Sequence, residues 1–168
     1  MATLHERVQA DLTAAMKSGD VLRRDTLRMA AAALYNAEKA ARRPLSDEES
    51  VGVLAREVKT RRESIEAFSK AGRLDLAEKE RSESEIIGGY LPAALSEDEL
   101  RALVIAAIEE TGALSARDMG RVMAVVAPRI RGRADGKAAS AIVAQELARR
   151  DLAAHGGDSH RGESHGAG

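Results

Sequence analysis

Three Ser/Thr-x-x-Glu motifs recur along the chain, at Thr3–Glu6, Ser46–Glu49 and Ser96–Glu99. In such a capping box the hydroxyl and the carboxylate each bond a backbone N–H of the first turn, so each motif marks the start of a helix. Apolar residues follow each motif at intervals of three and four, as on one face of an α-helix. No segment alternates apolar and polar residues over the length of a strand. The sequence therefore predicts an all-α fold.

Glycine and proline residues divide this pattern into seven predicted helices, the last covering about 135–152. Asp75 is expected to cap the fourth helix, and Pro128 with Gly132 is expected to close the sixth. Interruptions about every twenty residues disfavour one long coiled coil. The remaining predicted breaks are Ser18-Gly19, Pro44, Gly72, Gly88-Gly89 and Gly112.

The motif Tyr90-Leu91-Pro92 indicates a domain boundary, because two glycines end the preceding helix and Pro92 prevents its resumption. We predict a helical N-terminal domain over 1–92 and a small C-terminal helical bundle over 93–152. Residues 153–168 are rich in glycine, histidine, serine and charge, which predicts a disordered tail. A metal-binding tract through the tail histidines is the less favoured alternative, since no scaffold would fix the ligands.

Composition excludes several classes of function. The chain has 26 Lys and Arg against 27 Asp and Glu, so nucleic-acid contact requires a local patch rather than bulk charge. It has no cysteine, which excludes disulfides, cysteine zinc sites and a cysteine nucleophile. The charged N-terminus and the lack of a long apolar run predict a cytoplasmic protein with no membrane partner.

The segment 117–137 is locally basic, with six cationic side chains against Asp118 and Asp135, or net +4. Glycines within it allow close approach of a ligand to the backbone, and a helix N-terminus near Asp135 favours phosphate. The hypothesis is a site for RNA phosphates, and the alternative is a solvated arginine-rich turn. The candidate RNA-binding residues are Arg117, Arg121, Arg129, Arg131, Gly132, Arg133, Gly136 and Lys137.

The stretch from Gly132 to Lys137 fails as a nucleotide-binding P-loop. Only three residues separate its glycines, Ala138 replaces the hydroxyl residue that binds magnesium, and no strand precedes it. No amidase-like serine with a partnered lysine occurs elsewhere. The sequence therefore predicts no cofactor, no metal site and no catalytic residue.

Several ordered motifs are similar to those of the GatB/YqeY family. The residues 118–123, DMGRVM, and 128–136, PRIRGRADG, resemble the tail-domain motif of YqeY proteins and of GatB. In the first half, the YqeY pattern is matched by LRM at 27–29, SIEAF at 64–68, AGRLDL at 71–76, EII at 85–87 and YLP at 90–92. The resemblance covers about residues 3–150.

This resemblance implies a helical domain followed by a small helical bundle. GatB is the tRNA-binding subunit of the glutamine-dependent tRNA amidotransferase, and the tail bundle of tRNA enzymes helps to hold tRNA. The implied function is a tRNA- or RNA-binding accessory protein, non-catalytic by itself, whose protein partner would be a tRNA-aminoacylation or amidotransferase enzyme. Two alternatives stay open: an adaptor that binds protein through its charged N-terminal helices, and an accessory to a carbon–nitrogen ligase complex with glutamine as amido-N-donor.

Overall fold

Seven α-helices and one short 3-10 helix form the computed structural model, which describes residues 1–156, and no strand occurs within that range. The prediction of an all-α fold is confirmed. None of these helices is both long and apolar enough to cross a membrane. The helices are α1 (Leu4–Ser18), α2 (Val21–Ala41), α3 (Asp47–Lys70), α4 (Leu74–Gly88), α5 (Glu97–Thr111), α6 (Met119–Ile130) and α7 (Gly136–Gly156), with the 3-10 helix Ala116–Asp118 before α6.

All three predicted capping boxes form. The hydroxyls of Thr3, Ser46 and Ser96 each accept a hydrogen bond of 3.1 Å from the backbone N–H three residues later. The glutamates at those later positions accept in turn from the cap N–H, at 2.8, 2.9 and 2.8 Å. Each box satisfies N–H groups that the first helical turn leaves without a partner, so local sequence fixes the starts of α1, α3 and α5.

Three predicted helix boundaries are wrong, one at a helix start and two at helix ends. Asp75 does not cap α4, which begins one residue earlier; Asp75 lies in the first turn, where a carboxylate favours the helix N-terminus. Pro128 does not end α6: it lies inside the last turn, and the helix continues to Ile130 although proline cannot donate the backbone hydrogen bond of that turn. Helix α7 passes the predicted end at Leu152 and reaches Gly156. The rest of the predicted tail, 157–168, lies outside the described residues.

The first of two structural units consists of Met1–Ala93 together with Arg131–Arg133. Its core joins α1 to α4 and is built from aliphatic side chains, because the whole sequence has only two tyrosines and one phenylalanine. The largest side chains that are fully buried there are Leu27, Leu34, Leu54 and Ile87.

The second unit consists of Ala94–Ile130 and the described residues from Ala134 onward. Its core lies among α5, α6 and α7 and is separate from that of the first unit. Alanines within the core, such as Ala107 and Ala139, let these helix backbones approach closely. The fully buried larger side chains are Val104, Ile108, Val122, Val126, Val143 and Leu147.

Candidate functional site

Five of the eight predicted RNA-binding residues belong to the second unit. Arg117 is exposed in the 3-10 helix, Arg121 and Arg129 lie on α6, and Gly136 and Lys137 begin α7. The five are therefore distributed over the 3-10 helix and two α-helices rather than over one loop.

Two of these cations are already paired with carboxylates. Arg121 donates to Asp118 at 3.0 Å, and two nitrogens of Arg129 bond the two oxygens of Glu110 at 2.8 and 3.1 Å. The backbone N–H groups of Leu114 and Ser115, with help from Arg121, lower the pKa of Asp118, so this carboxylate stays charged near neutral pH. A phosphate would have to compete with these carboxylates for Arg121 and Arg129.

Two other cations of the second unit have no such competing carboxylate among the described residues. Neither Arg117 nor Lys137 has a carboxylate oxygen within 4.0 Å among residues 1–156. Both side chains are exposed. They can bind a phosphate without first losing an ion pair to a described carboxylate.

Gly132 belongs to the first unit and has a left-handed backbone, with φ of 74°. A Cβ at this position would overlap Cγ1 of Val51 and would lie 3.4 Å from Cδ of Pro92. The absence of a side chain at Gly132 therefore makes room for neighbouring side chains of the first unit. By contrast, the space around Gly136 is open, with no atom within 4 Å of a Cβ built there.

Arg131 and Arg133 flank Gly132 and also belong to the first unit. Cδ of Arg131 lies 3.3 Å from the position that a Cβ would take at Gly52 of α3. Nε of Arg133 donates a long hydrogen bond of 3.4 Å to the carbonyl oxygen of Ala93. Both arginines are exposed, and neither has a carboxylate oxygen within 4.0 Å in the described part of the chain.

An open groove of about 540 Å³ lies within the first unit, at positions that no sequence pattern indicates. Among its lining residues, the hydroxyl of Tyr90 donates a hydrogen bond to the Asp11 carboxylate, and the guanidinium carbon of Arg7 lies 5.8 Å from the ring centroid of Tyr90. Arg23 lies 3.8 Å from Asp11. No spacing rule links these positions, and only the scarcity of aromatic residues draws attention to Tyr90. The groove is also lined by Leu22, Ser82, Glu85, Ile86 and Gly89.

The surroundings of Tyr90 extend the pH range in which its phenol is neutral. Burial raises the pKa of Tyr90 to about 12, and the hydrogen bond to the Asp11 carboxylate acts in the same direction. The phenol is therefore protonated near neutral pH and serves as a hydrogen-bond donor to Asp11 rather than as a base.

Lys59, Arg61 and Arg62 lie beside Glu57, Glu63 and Glu66 on α3, a pattern that predicts a solvated face with near-neighbour ion pairs, but one of these arginines is buried. Arg61 is only 6% exposed; it bonds Glu57 at 2.9 Å, and its Nε lies 3.4 Å from the buried carboxylate of Glu83. The interpretation of Arg61 as a surface charge is wrong, because position 61 lies two helical turns after buried Leu54 on the same face. Without Arg61, the buried carboxylate of Glu83 would keep only Lys79 as an ion-pair partner in the described residues, at 4.0 Å, so the Arg61–Glu83 pair helps to hold α3 against α4.

The sequence of the chain is similar to those of known proteins. The model of the "Yqey-like protein" family matches residues 5–147. Over 133 residues the chain is 37% identical to "Altered inheritance of mitochondria protein 41, mitochondrial" of Pyrenophora tritici-repentis, covering 76% of this chain and 71% of that protein.

Two further fungal proteins are similar. An uncharacterized protein of Schizosaccharomyces pombe is 34% identical over 85 residues, which cover 51% of this chain and 69% of that protein. An "Altered inheritance of mitochondria protein 41, mitochondrial" of Eremothecium gossypii is 35% identical over 106 residues, or 61% of this chain and 58% of that protein.

Proposed function

Because the chain belongs to the YqeY-like protein family, we propose that it is a non-catalytic accessory protein that binds tRNA or another structured RNA. The resemblance of 118–136 to the tail domain of tRNA amidotransferase subunits supports this proposal. The names of its fungal relatives do not mention RNA, so the proposal depends on the chemistry of this chain.

The observation that carries the proposal is the set of cations without carboxylate partners in 117–137. Arg117 and Lys137 in the second unit, and Arg131 and Arg133 in the first, have no carboxylate oxygen within 4.0 Å in the described part of the chain. Exposed guanidinium and ammonium groups of this kind bind phosphates through charge-assisted hydrogen bonds. No aromatic residue follows Tyr90, so there is no platform for stacked bases in this segment. Binding should depend on the backbone of a folded RNA.

Fluorescence anisotropy with a labelled tRNA transcript at several salt concentrations tests this proposal. Affinity should fall steeply as salt rises, because phosphate contacts release counterions. Replacing Arg131 and Arg133 by Ala should weaken binding and should flatten the logarithmic salt slope by about one unit per lost contact.

The matched control is Lys17→Ala with Lys39→Ala, which removes two exposed cations of the first unit without carboxylate partners in the described residues. It should bind tRNA as the parent does. If the two double variants have equal affinity and salt slope, the basic segment is not the site.

A protein-binding adaptor is the second candidate, and exposed apolar side chains favour it. Met16, Val21, Leu22 and Met29 of α1 and α2 are 39–55% exposed. Exposed apolar residues of this size can mark an interaction surface. A parent protein that fails to bind tRNA at low salt would exclude the RNA proposal and would leave the adaptor as the better account. Association with a glutamine-dependent carbon–nitrogen ligase is tested by copurification with the tRNA amidotransferase of the same cell.

We retain a cytoplasmic location as part of the proposal. Two of the similar fungal proteins have the word mitochondrial in their names, and that word is a statement about those two proteins alone. Imaging of a C-terminal fluorescent fusion in the native cell, with organelle markers, distinguishes the two locations.

A further inference from the structure

Three cations lie in a row on the exposed side of α3. Arg56, Lys59 and Arg62 recur at intervals of three, so they occupy successive turns of one side of the helix. All three are exposed, and none has a carboxylate oxygen within 4.0 Å among residues 1–156. They are therefore available to an external anion.

Arg131 adds a fourth cation to the same row. Gly52 lies one helical turn before Arg56, and the side chain of Arg131 packs directly over it, with Cδ 3.3 Å from the position of a Cβ. The absence of a side chain at position 52 thus makes room for Arg131 beside α3. At about 1.5 Å per residue, the row from Gly52 to Arg62 is roughly 15 Å long. All of these residues belong to the first unit.

The carboxylates of the helix only partly offset this charge. Glu57 is bonded to Arg61, and Glu66 is bonded to Lys70. Glu63 lies within the row and forms no ion pair in the described part of the chain, and Glu48 lies one turn beyond the Gly52 end. The four cations of the row thus face one unpaired carboxylate within it.

We propose that the row Arg131, Arg56, Lys59 and Arg62 is a phosphate-binding surface that extends RNA contact along α3. This inference rests on the proposed RNA-binding function and adds a surface outside the basic segment. A nucleic-acid strand presents several phosphates over roughly 15 Å, at about 3.4 Å of axis per nucleotide in a duplex. Flexible exposed cations without competing carboxylates suit such a backbone and do not select bases.

Charge changes of opposite sign test the row in the full chain. Lys59→Gln with Arg62→Gln should weaken tRNA binding by roughly 2- to 5-fold per cation, as for exposed charge contacts, and should flatten the salt slope by about one unit per contact. Glu63→Gln should strengthen binding by about 2-fold, because it removes the opposing charge. Lys17→Gln, an exposed cation on α1, is the matched control and should change neither quantity. Circular dichroism melts check that every variant is folded.

The outcomes separate this inference from the proposed function. If the parent binds tRNA and the α3 variants behave as Lys17→Gln does, the phosphate-binding role of the row is overturned and the proposed function stands. If the parent does not bind tRNA at low salt, both are overturned. If the double variant keeps its tRNA affinity but loses binding to poly-glutamate, the row serves an acidic protein partner and the RNA inference is wrong.

Discussion

Tyr90 is the residue whose environment can be measured most directly. The chain has no tryptophan and only two tyrosines, so Tyr35→Phe leaves Tyr90 as the sole phenol. Ultraviolet absorbance should then give a midpoint near pH 12, against about 10 for a free tyrosine. Asp11→Asn should lower that midpoint only in part, because burial is the larger cause of the raised pKa. A midpoint near 10 in folded Tyr35→Phe protein would contradict the half-buried, hydrogen-bonded phenol.

The raised pKa of Tyr90 makes the free energy of unfolding decrease at alkaline pH. Folding favours the protonated phenol, so the contribution of Tyr90 to the free energy of unfolding is fully present below about pH 10. It is lost as the pH rises from about 10 through about 12. Urea denaturation across this range, with Tyr90→Phe as the comparison, measures that loss, and circular dichroism at each pH checks that the chain is folded.

Single residues show where sequence reasoning reaches its limit. Helical spacing correctly places Leu27, Leu34 and Leu54 inward, since all three are fully buried. The same spacing places Met16 inward, but it is 49% exposed near the end of α1. Arg61 was assigned by its charge rather than by its helical position. Its burial is compensated by two carboxylates, Glu57 one turn earlier on α3 and Glu83 on α4, and no local pattern identifies the second.

At the scale of elements, the turn after α6 depends on Gly132. Replacing Gly132 by Ala should lower the free energy of unfolding by about 1–3 kcal/mol, since φ of 74° is unfavourable for alanine and the new Cβ would overlap Val51. Chemical denaturation measures the loss. In a Val51→Ala background the cost should be smaller, and the double-mutant cycle isolates the steric part from the backbone part.

Gly52→Ala is the matched control for that substitution. Gly52 lies inside α3, so alanine should gain roughly 0.5–1 kcal/mol of helix stability. The new Cβ would meet only the flexible side chain of Arg131, which is exposed and can move by a few tenths of an ångström. Equal losses in the Gly132 and Gly52 variants would contradict the assigned difference between the two glycines.

Helix starts could be predicted better than helix ends. A capping box is complete within four residues, so Thr3, Ser46 and Ser96 specify their helices locally. The end of α6 lacks such a signal, because Pro128 lies inside the last turn rather than after it. The glycine at position 132 adopts a left-handed backbone conformation, with φ of 74°, that glycine favours. Its packing partner, Val51, lies 81 residues earlier in the chain, and no local pattern identifies it.

For the whole molecule, the basic segment is continuous in sequence but is divided between two structural units. Arg131 and Arg133 belong to the first unit, whereas Arg117, Arg121, Arg129 and Lys137 belong to the second. Summing charge along 117–137 also counts Arg121 and Arg129, whose carboxylate partners are Asp118 and Glu110. Asp118 is inside the summed segment and Glu110 is outside it, so the sum includes one partner and omits the other. The eight candidate residues stay a prediction, and the site variants test them unit by unit.

The separate cores predict that the second unit can fold alone. A fragment from Ala94 to Gly156 contains every residue of the core formed by α5, α6 and α7. Domains of about 60 residues can fold without disulfides or metals, although with small margins of stability. The fragment should therefore show helical circular dichroism and a cooperative melt. Leu147→Ala, at a fully buried position, should cost about 2–5 kcal/mol and should unfold most of it.

The complementary fragment, Met1 to Ala93, is expected to be less stable than the first unit of the full chain. It keeps its own core but lacks Arg131–Arg133, so Val51 and Pro92 lose the contact that Gly132 makes in the first unit. Its free energy of unfolding should be lower than that of the same unit in the full chain, because exposed apolar surface replaces packed surface. A disordered Ala94–Gly156 fragment, or a Met1–Ala93 fragment as stable as the first unit of the full chain, would contradict this division of the structure.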